Sequence, residues 1–289
     1  MKFILPTAFI DPTQFMAMAR AADECGWWSM AVSDHVVHPE KLESAYPYVE
    51  DGRPYWGASN PWPDPWVAIG AMAAVTERLR FLTNVFILPA RHPVLVAKTV
   101  GTAAVLSHNR VSLGIGVGWM REEFEILGES FTNRGARTDE AIGVLRRLWR
   151  GGVVEHDGKH YAFPKLTMSP APSVPVPIYC GGLSDRALSR AGRLCDGWIS
   201  VVHSVEEIRE FSLRLSAIRD AAGRGGEPFE MIVACNDAFD LEGYKRLEEA
   251  GATALMTVPW LFYGHKTDTL QGKLDGIRRF AADVISRLG

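Results

Sequence analysis

Asp34 and His35 close a short apolar run, Ser29-Met30-Ala31-Val32-Ser33, and the pair offers proton-transfer chemistry. An imidazole titrates near neutrality and can donate or accept a proton, while the preceding carboxylate can hydrogen-bond a ligand or orient the ring. Taken alone, the dipeptide equally suits a structural part, with Asp34 capping the next loop and His35 packing at a rim. Three further segments follow apolar runs in the same way: Thr83-Asn84-Val85, Gly114-Ile115-Gly116-Val117-Gly118-Trp119 and Gly181-Gly182. Trp119 stands where G-x-G-x-x-G requires its last glycine, so the second of these is a poor dinucleotide fingerprint. Its glycines suit the close approach of a flat ring, or else the relief of crowding where strands bend. Gly181-Gly182 leads into Ser184-Asp185 at a predicted helix start, where free amides suit a phosphate and Ser184 equally suits a plain N-cap. His156 and His160 flank an Asp157-Gly158 turn without a nearby cysteine or carboxylate cluster. They read as solvated hairpin residues, and no metal site is expected.

These segments meet only if the elements before them converge. The pattern predicts a buried strand over 2–9 and a helix over 11–25, then a strand over 29–34 and, after a long insertion, a helix over 64–76 opened by Asp64-Pro65. Strand 79–85 with helix 93–106, and strand 110–117 with helices between 121 and 150, continue the alternation. A hairpin over 153–163 and a proline-rich stretch over 164–177 interrupt it. Strands over 176–180, 197–202, 230–235 and 254–259 then alternate with helices over 184–194, 205–222, 241–250 and 270–288. About eight strand-helix repeats predict an α/β chain folded as a (β/α)8 TIM barrel, whose strand ends converge on one mouth. We read residues 1–289 as a single barrel domain with two insertions. The insertion after strand 2, over 36–63, concentrates Tyr46, Tyr48, Tyr55, Trp56 and Trp62 among prolines, which suits a lid over a flat substrate or a dimer contact. The other, over 153–175, precedes strand 5 as a surface hairpin and connection.

Composition narrows the partners. A net charge of -3 gives no broad electrostatic reason to bind nucleic acid or an acidic membrane. The four cysteines, Cys25, Cys180, Cys195 and Cys235, lack paired spacing and read as buried free thiols of a reducing compartment. Pro6 breaks the first apolar run too early for a signal peptide or a membrane span, so a cytoplasmic protein acting on a small molecule is expected.

Together these residues resemble the luciferase-like monooxygenase superfamily, particularly its branch using coenzyme F-420, an 8-hydroxy-5-deazaflavin. Five ordered stretches carry the likeness across nearly the whole chain. They are Val32-Ser33-Asp34-His35-Val36-Val37, Leu79-Arg80-Phe81-Leu82-Thr83-Asn84-Val85, Pro89-Ala90-Arg91-His92-Pro93, Gly116-Val117-Gly118-Trp119 and Ala191-Gly192-Arg193-Leu194-Cys195-Asp196-Gly197-Trp198. The resemblance implies a homodimeric barrel with the deazaflavin, or alternatively FMN, at its mouth. It also implies a non-prolyl cis peptide at Asn84-Val85. His35 inherits an acid-base role, and Asp34, Thr83, Asn84, Val85, Gly116, Val117, Gly118, Trp119, Gly181, Gly182 and Ser184 become the expected cofactor contacts. Hydride transfer to or from a small apolar or aromatic substrate is the expected reaction, with an F-420 or flavin reductase as electron source. The alternatives are an FMN-dependent monooxygenase using oxygen and a non-catalytic flavin-binding barrel. Sugar-phosphate dehydrogenases of the branch carry a tryptophan four residues after the histidine and a glutamate just after the second glycine motif. This chain has Pro39 and Trp119 at those places, which disfavours a sugar phosphate.

Overall fold

Strands that are apolar at every position are buried on both faces, as a parallel sheet wrapped by helices requires. The computed structural model describes residues 1–264 and 268–288, and within them eight parallel strands, apolar and buried along most of their length, form the barrel wall. They are β1 (Lys2–Pro6), β2 (Ser29–Val32), β3 (Arg80–Thr83), β4 (Val111–Gly116), β5 (Ile178–Gly181), β6 (Gly197–His203), β7 (Glu230–Cys235) and β8 (Ala254–Met256). Each pairs in parallel with the next, and β8 returns to β1 through Lys2 opposite Ala254, which closes the barrel. The chain is therefore the closed eight-stranded α/β barrel that the repeat count implied. Inside it, Ile4, Ala31, Leu82, Tyr179, Ile199, Ile232, Ala254 and Met256 pack as a solid plug below the mouth.

The surrounding helices include α1 (Phe15–Glu24), α2 (Pro65–Ala73), α3 (Pro93–Leu106), α4 (Arg121–Ile126), α5 (Arg134–Trp149), α6 (Asp185–Leu194), α7 (Val205–Ala221) and α8 (Leu241–Glu249). Several starts follow local rules. Asp64 accepts from the amides of Trp66 and Val67 with Pro65 in the first turn of α2, and Ser204 and Glu207 form a reciprocal capping box on α7. Several strands are shorter than expected. β1 ends at Pro6 rather than residue 9, and β8 ends at Met256 rather than 259. The C-terminal helix expected over 270–288 contains a π-helical stretch, Ala281–Ile285.

The predicted hairpin is present as Val153–Asp157 paired antiparallel with Ala162–Thr167, but Asp157 faces Ala162, so the loop is longer than a two-residue Asp-Gly turn. His156 is not solvated as expected. It is held between Arg147 and Glu140, and Glu140 also accepts from the amides of His160 and Tyr161, which pins the hairpin to α5. Cys180 and Cys195 are buried free thiols, whereas Cys25 and Cys235 are only half-buried. Among the described residues, no helix is long and apolar enough to cross a membrane.

Candidate active site

β2, β3, β4 and β5 are neighbours in the barrel wall, so the residues following them share one end of the molecule. The Asn84-Val85 peptide is cis, as the resemblance implied. Val85 lies between the ends of β4 and β5: an added Cβ on Gly116 would stand 2.6 Å from Val85 Cγ2, and one on Gly181 3.1 Å from Val85 Cγ1. Gly118 adopts a positive φ of 79°, and a Cβ there would meet Phe124 at 2.6 Å and Ile87 at 2.8 Å. Crowding by protein atoms, the second of the two readings the sequence offered, accounts for Gly116 and Gly118. Thr83 is fully buried and spends its hydroxyl on the carbonyl of Gly114 at 2.7 Å. Thr83 thus builds the wall and offers the mouth no side-chain donor.

Asp34 also has internal partners. Its carboxylate accepts from Arg91 Nη1 at 2.6 Å, Arg91 Nη2 at 2.8 Å and the Ile87 amide at 2.9 Å. This bidentate pair fastens the loop after β2 to the segment after β3, with Arg91 lying 4.2 Å from the Phe86 ring centroid. Burial raises the Asp34 carboxyl above its ordinary range, and Arg91 opposes that shift. The expected ligand contact or direct orientation of His35 is replaced by a fastening part.

The partner of His35 is Glu123 on α4. Its fully buried carboxylate lies 3.2 Å from His35 Nδ1 through Oε2 and accepts the Val36 amide at 2.5 Å through Oε1. A carboxylate opposite Nδ1 calls for a hydrogen on that nitrogen, a tautomer inferred from the partner, and leaves Nε2 as the acceptor nitrogen. Nε2 has no protein hydrogen-bond partner among the described residues. The sequence carried one signal for Glu123: Met120, Glu123 and Phe124 share the spacing of one helical face, and all three are buried. Three glutamates within Arg121-Glu122-Glu123-Phe124-Glu125 hid which of them turned inward.

Rings of the insertion cover this pair. His35 meets Trp62 edge-on at 4.8 Å between centroids, with Trp56 and Trp119 each at 5.9 Å. Tyr46 packs on Trp56 at 4.7 Å and on Trp119 at 5.2 Å, and Phe9 joins from the loop after β1. Burial, then neighbouring Tyr55, raises the Tyr46 phenol well above its ordinary value. These contacts seat part of the 36–63 insertion directly on His35. Trp62 Nε1 is buried without a partner, an orphaned donor on the ring nearest His35. Trp62 Nε1 and His35 Nε2 are thus polar atoms without a hydrogen-bond partner among the described residues, on rings whose centroids are 4.8 Å apart.

Gly181 and Gly182 lie next to the start of α6, as expected. Ser184 is an exposed N-cap accepting from the Ala187 amide at 3.3 Å, and the Gly182 carbonyl accepts from Trp198 Nε1 at 2.9 Å. The turn is thus fixed by Trp198, and the Ala187 amide of the first turn of α6 is spent on Ser184. Asn84, Val85, Val117, Trp119, Gly181 and Gly182 are all partly accessible at this end, whereas Gly116 is buried.

A sequence model described as luciferase-like monooxygenase matches residues 4–274. The chain belongs to that family and is an oxidoreductase of the luciferase-like class. It is 38% identical over 291 residues, spanning all of both chains, to an uncharacterized protein of Mycobacterium tuberculosis. It is 30% identical over 245 residues, 82% of this chain and 67% of the relative, to a protein named F420-dependent glucose-6-phosphate dehydrogenase from Nakamurella multipartita. Among solved structures, the monooxygenase RslO1 of Streptomyces bottropensis superposes with a TM-score of 0.76 at 19% identity over the whole of both chains. An F420-dependent secondary alcohol dehydrogenase in complex with an F420-acetone adduct does so with 0.75 at 17% identity, covering 99% of this chain and 98% of that one.

Proposed function

We propose that this protein passes a hydride between deazaflavin coenzyme F-420 and a small apolar or aromatic organic substrate, with His35 managing the proton. The observation that carries the reading is the buried Glu123-His35 pair beneath a tryptophan lid, with Nε2 left over as the proton-handling atom. Asn84, Val85, Val117 and Trp119 would border the coenzyme, and Gly181, Gly182 and Ser184 with the first-turn amides of α6 would hold its phosphate. When bound, the coenzyme supplies a hydride-carrying ring carbon that reacts poorly with oxygen. The protein's share is to orient His35 through Glu123, to exclude water beneath Trp56, Trp62 and Trp119, and to take or return the substrate hydroxyl proton at Nε2. Naming of a relative for F-420 supports this choice over FMN.

Equilibrium titration of the apoprotein with F-420 and with FMN, followed by absorbance under air, tests the reading. Selective F-420 binding is expected; FMN binding with oxygen-dependent bleaching would replace it with monooxygenation. His35→Ala should slow the chemical step and leave F-420 affinity nearly unchanged. We further propose a cytoplasmic homodimer formed through α2 and α3, which leave Val67, Leu95 and Leu106 at 75%, 66% and 71% exposure on two largely apolar helices. Sedimentation of Val67→Glu/Leu106→Glu as a monomer is the expected result.

A further inference from the structure

Two guanidiniums at the rim of the barrel have no carboxylate to answer them. Arg121 opens α4 and Arg134 opens α5, and both lie against one ring, 4.6 and 3.8 Å from the centroid of Phe131. Neither belongs to an ion pair among the described residues, although Arg137, three residues on, does. Arg134 donates Nε to the Gly118 carbonyl at 2.9 Å and Nη1 to the Phe131 carbonyl at 3.1 Å, which leaves Nη2 unspent. Arg121 uses its amide on Ser44 Oγ at 3.0 Å, and within the described residues its side chain makes no hydrogen bond. The acids beside them are held by other groups: Glu122 through Oε1 by the amides of Glu43 and Ser44, with Oε2 buried and unpartnered, Glu123 by His35 and the Val36 amide, and Glu129 by Arg137. Glu125, the other acid of α4, is exposed and makes no ion pair among the described residues.

Position and chemistry agree. The bond to Gly118 ties Arg134 to the end of β4, and Arg121 stands two residues before the glutamate that holds His35. Asn133, the N-cap of α5, makes no side-chain cap bond, so the first turn of that sixteen-residue helix adds its positive end to the same place. Burial and then the charge of Arg121 lower Arg134 below the ordinary guanidinium range. Like charges gathered on one ring repel, and a planar oxoanion between them relieves that repulsion with paired N–H donors.

We propose that Arg121 and Arg134 form an oxoanion clamp at the rim, distinct from the α6 phosphate position, that takes a carboxylate or phosphate of the ligand filling the mouth. This rests on the mouth being the ligand site of the proposed function. The anion belongs either to the coenzyme side chain or to the substrate, and two measurements separate these sources. Calorimetric titration with citrate on the wild type and on Arg121→Gln/Arg134→Gln reads the clamp without any coenzyme: binding is expected in the wild type and its loss in the variant. Fluorescence titration compares F-420 with its chromophore lacking the phosphate side chain. If the coenzyme supplies the anion, each single substitution weakens F-420 binding roughly tenfold, the scale of one lost charge-assisted hydrogen bond at a part-exposed site, and leaves the bare chromophore unaffected. Lost citrate binding with unchanged F-420 affinity assigns the anion to the substrate. Citrate and F-420 binding that both survive the double substitution overturn the clamp. A wild type that binds citrate through these arginines yet binds no deazaflavin retains the clamp and refutes the proposed function.

Discussion

Replacing Glu123 by Gln should disable the proton step while leaving the fold and the ligand site standing. The amide oxygen can still accept the Val36 amide, now 2.5 Å from Oε1, so the loop after β2 keeps its attachment. What changes is the 3.2 Å contact with His35, where an NH2 group replaces an acceptor. Two N–H groups facing each other in a fully buried place would cost about 1–3 kcal/mol, so the imidazole relieves the clash by moving its hydrogen to Nε2. Nε2 then donates and can no longer accept the substrate proton. Loss of a positioned general base lowers rates by roughly 10²–10⁴-fold. Rapid-mixing of the substrate with the F-420-loaded enzyme, followed at the coenzyme absorbance, measures that step, and coenzyme affinity should stay as in the wild type. In a His35→Ala background the substitution should add nothing, because both changes remove one unit. A wild-type rate for Glu123→Gln, or a full additional loss on top of His35→Ala, would refute the assignment.

Arg91→Ala strands the Asp34 carboxylate in a buried place and should destabilise the protein by about 3–5 kcal/mol in urea unfolding. Gly118→Ala should lower stability by about 1–3 kcal/mol because it combines a positive φ with contacts inside 3 Å, whereas Gly128→Ala, with φ of 71° and open space around it, should lose only about 1 kcal/mol. Burial pushes the Tyr179 phenol up to about 12. A raised phenol favours the folded state below its unfolded value of about 10, and that contribution disappears as pH rises from 10 through 12, so Tyr179→Phe should move the alkaline unfolding midpoint upward. Circular dichroism against pH reads it, with Tyr244, also pushed up to about 12, left to titrate in both proteins.

The barrel was legible because its signals are local: apolar runs, proline-opened helices and repeated strand-end turns. Helix 93–106 and strand 230–235 came out residue for residue. The convergence of His35, Asn84, Val85, Gly118, Trp119 and Gly181 was legible too, since parallel connectivity sends successive strand ends to one rim. What each residue does there was not, because it depends on contacts distant in sequence. Asp34 looked like a ligand group until Arg91, fifty-seven positions away, claimed both its oxygens. Glycines that read either as room for a ring or as relief of crowding make room for Val85, Ile87 and Phe124. Glu123 reaches His35 across eighty-eight positions, and only its helical face hinted at that.

Three consecutive residues of α4 add a polar link between the insertion and His35 to the ring contacts that already join them. Arg121 and Glu122 grip residues 43 and 44 of the insertion, and Glu123 steadies His35. Residues 43–44 cannot swing outward without either snapping those bonds or dragging the short helix, and with it the carboxylate opposite Nδ1. Under the proposed function, displacement of this part of the insertion and the posture of His35 would be geared to each other, since moving residues 43–44 would also disturb the carboxylate that sets the imidazole.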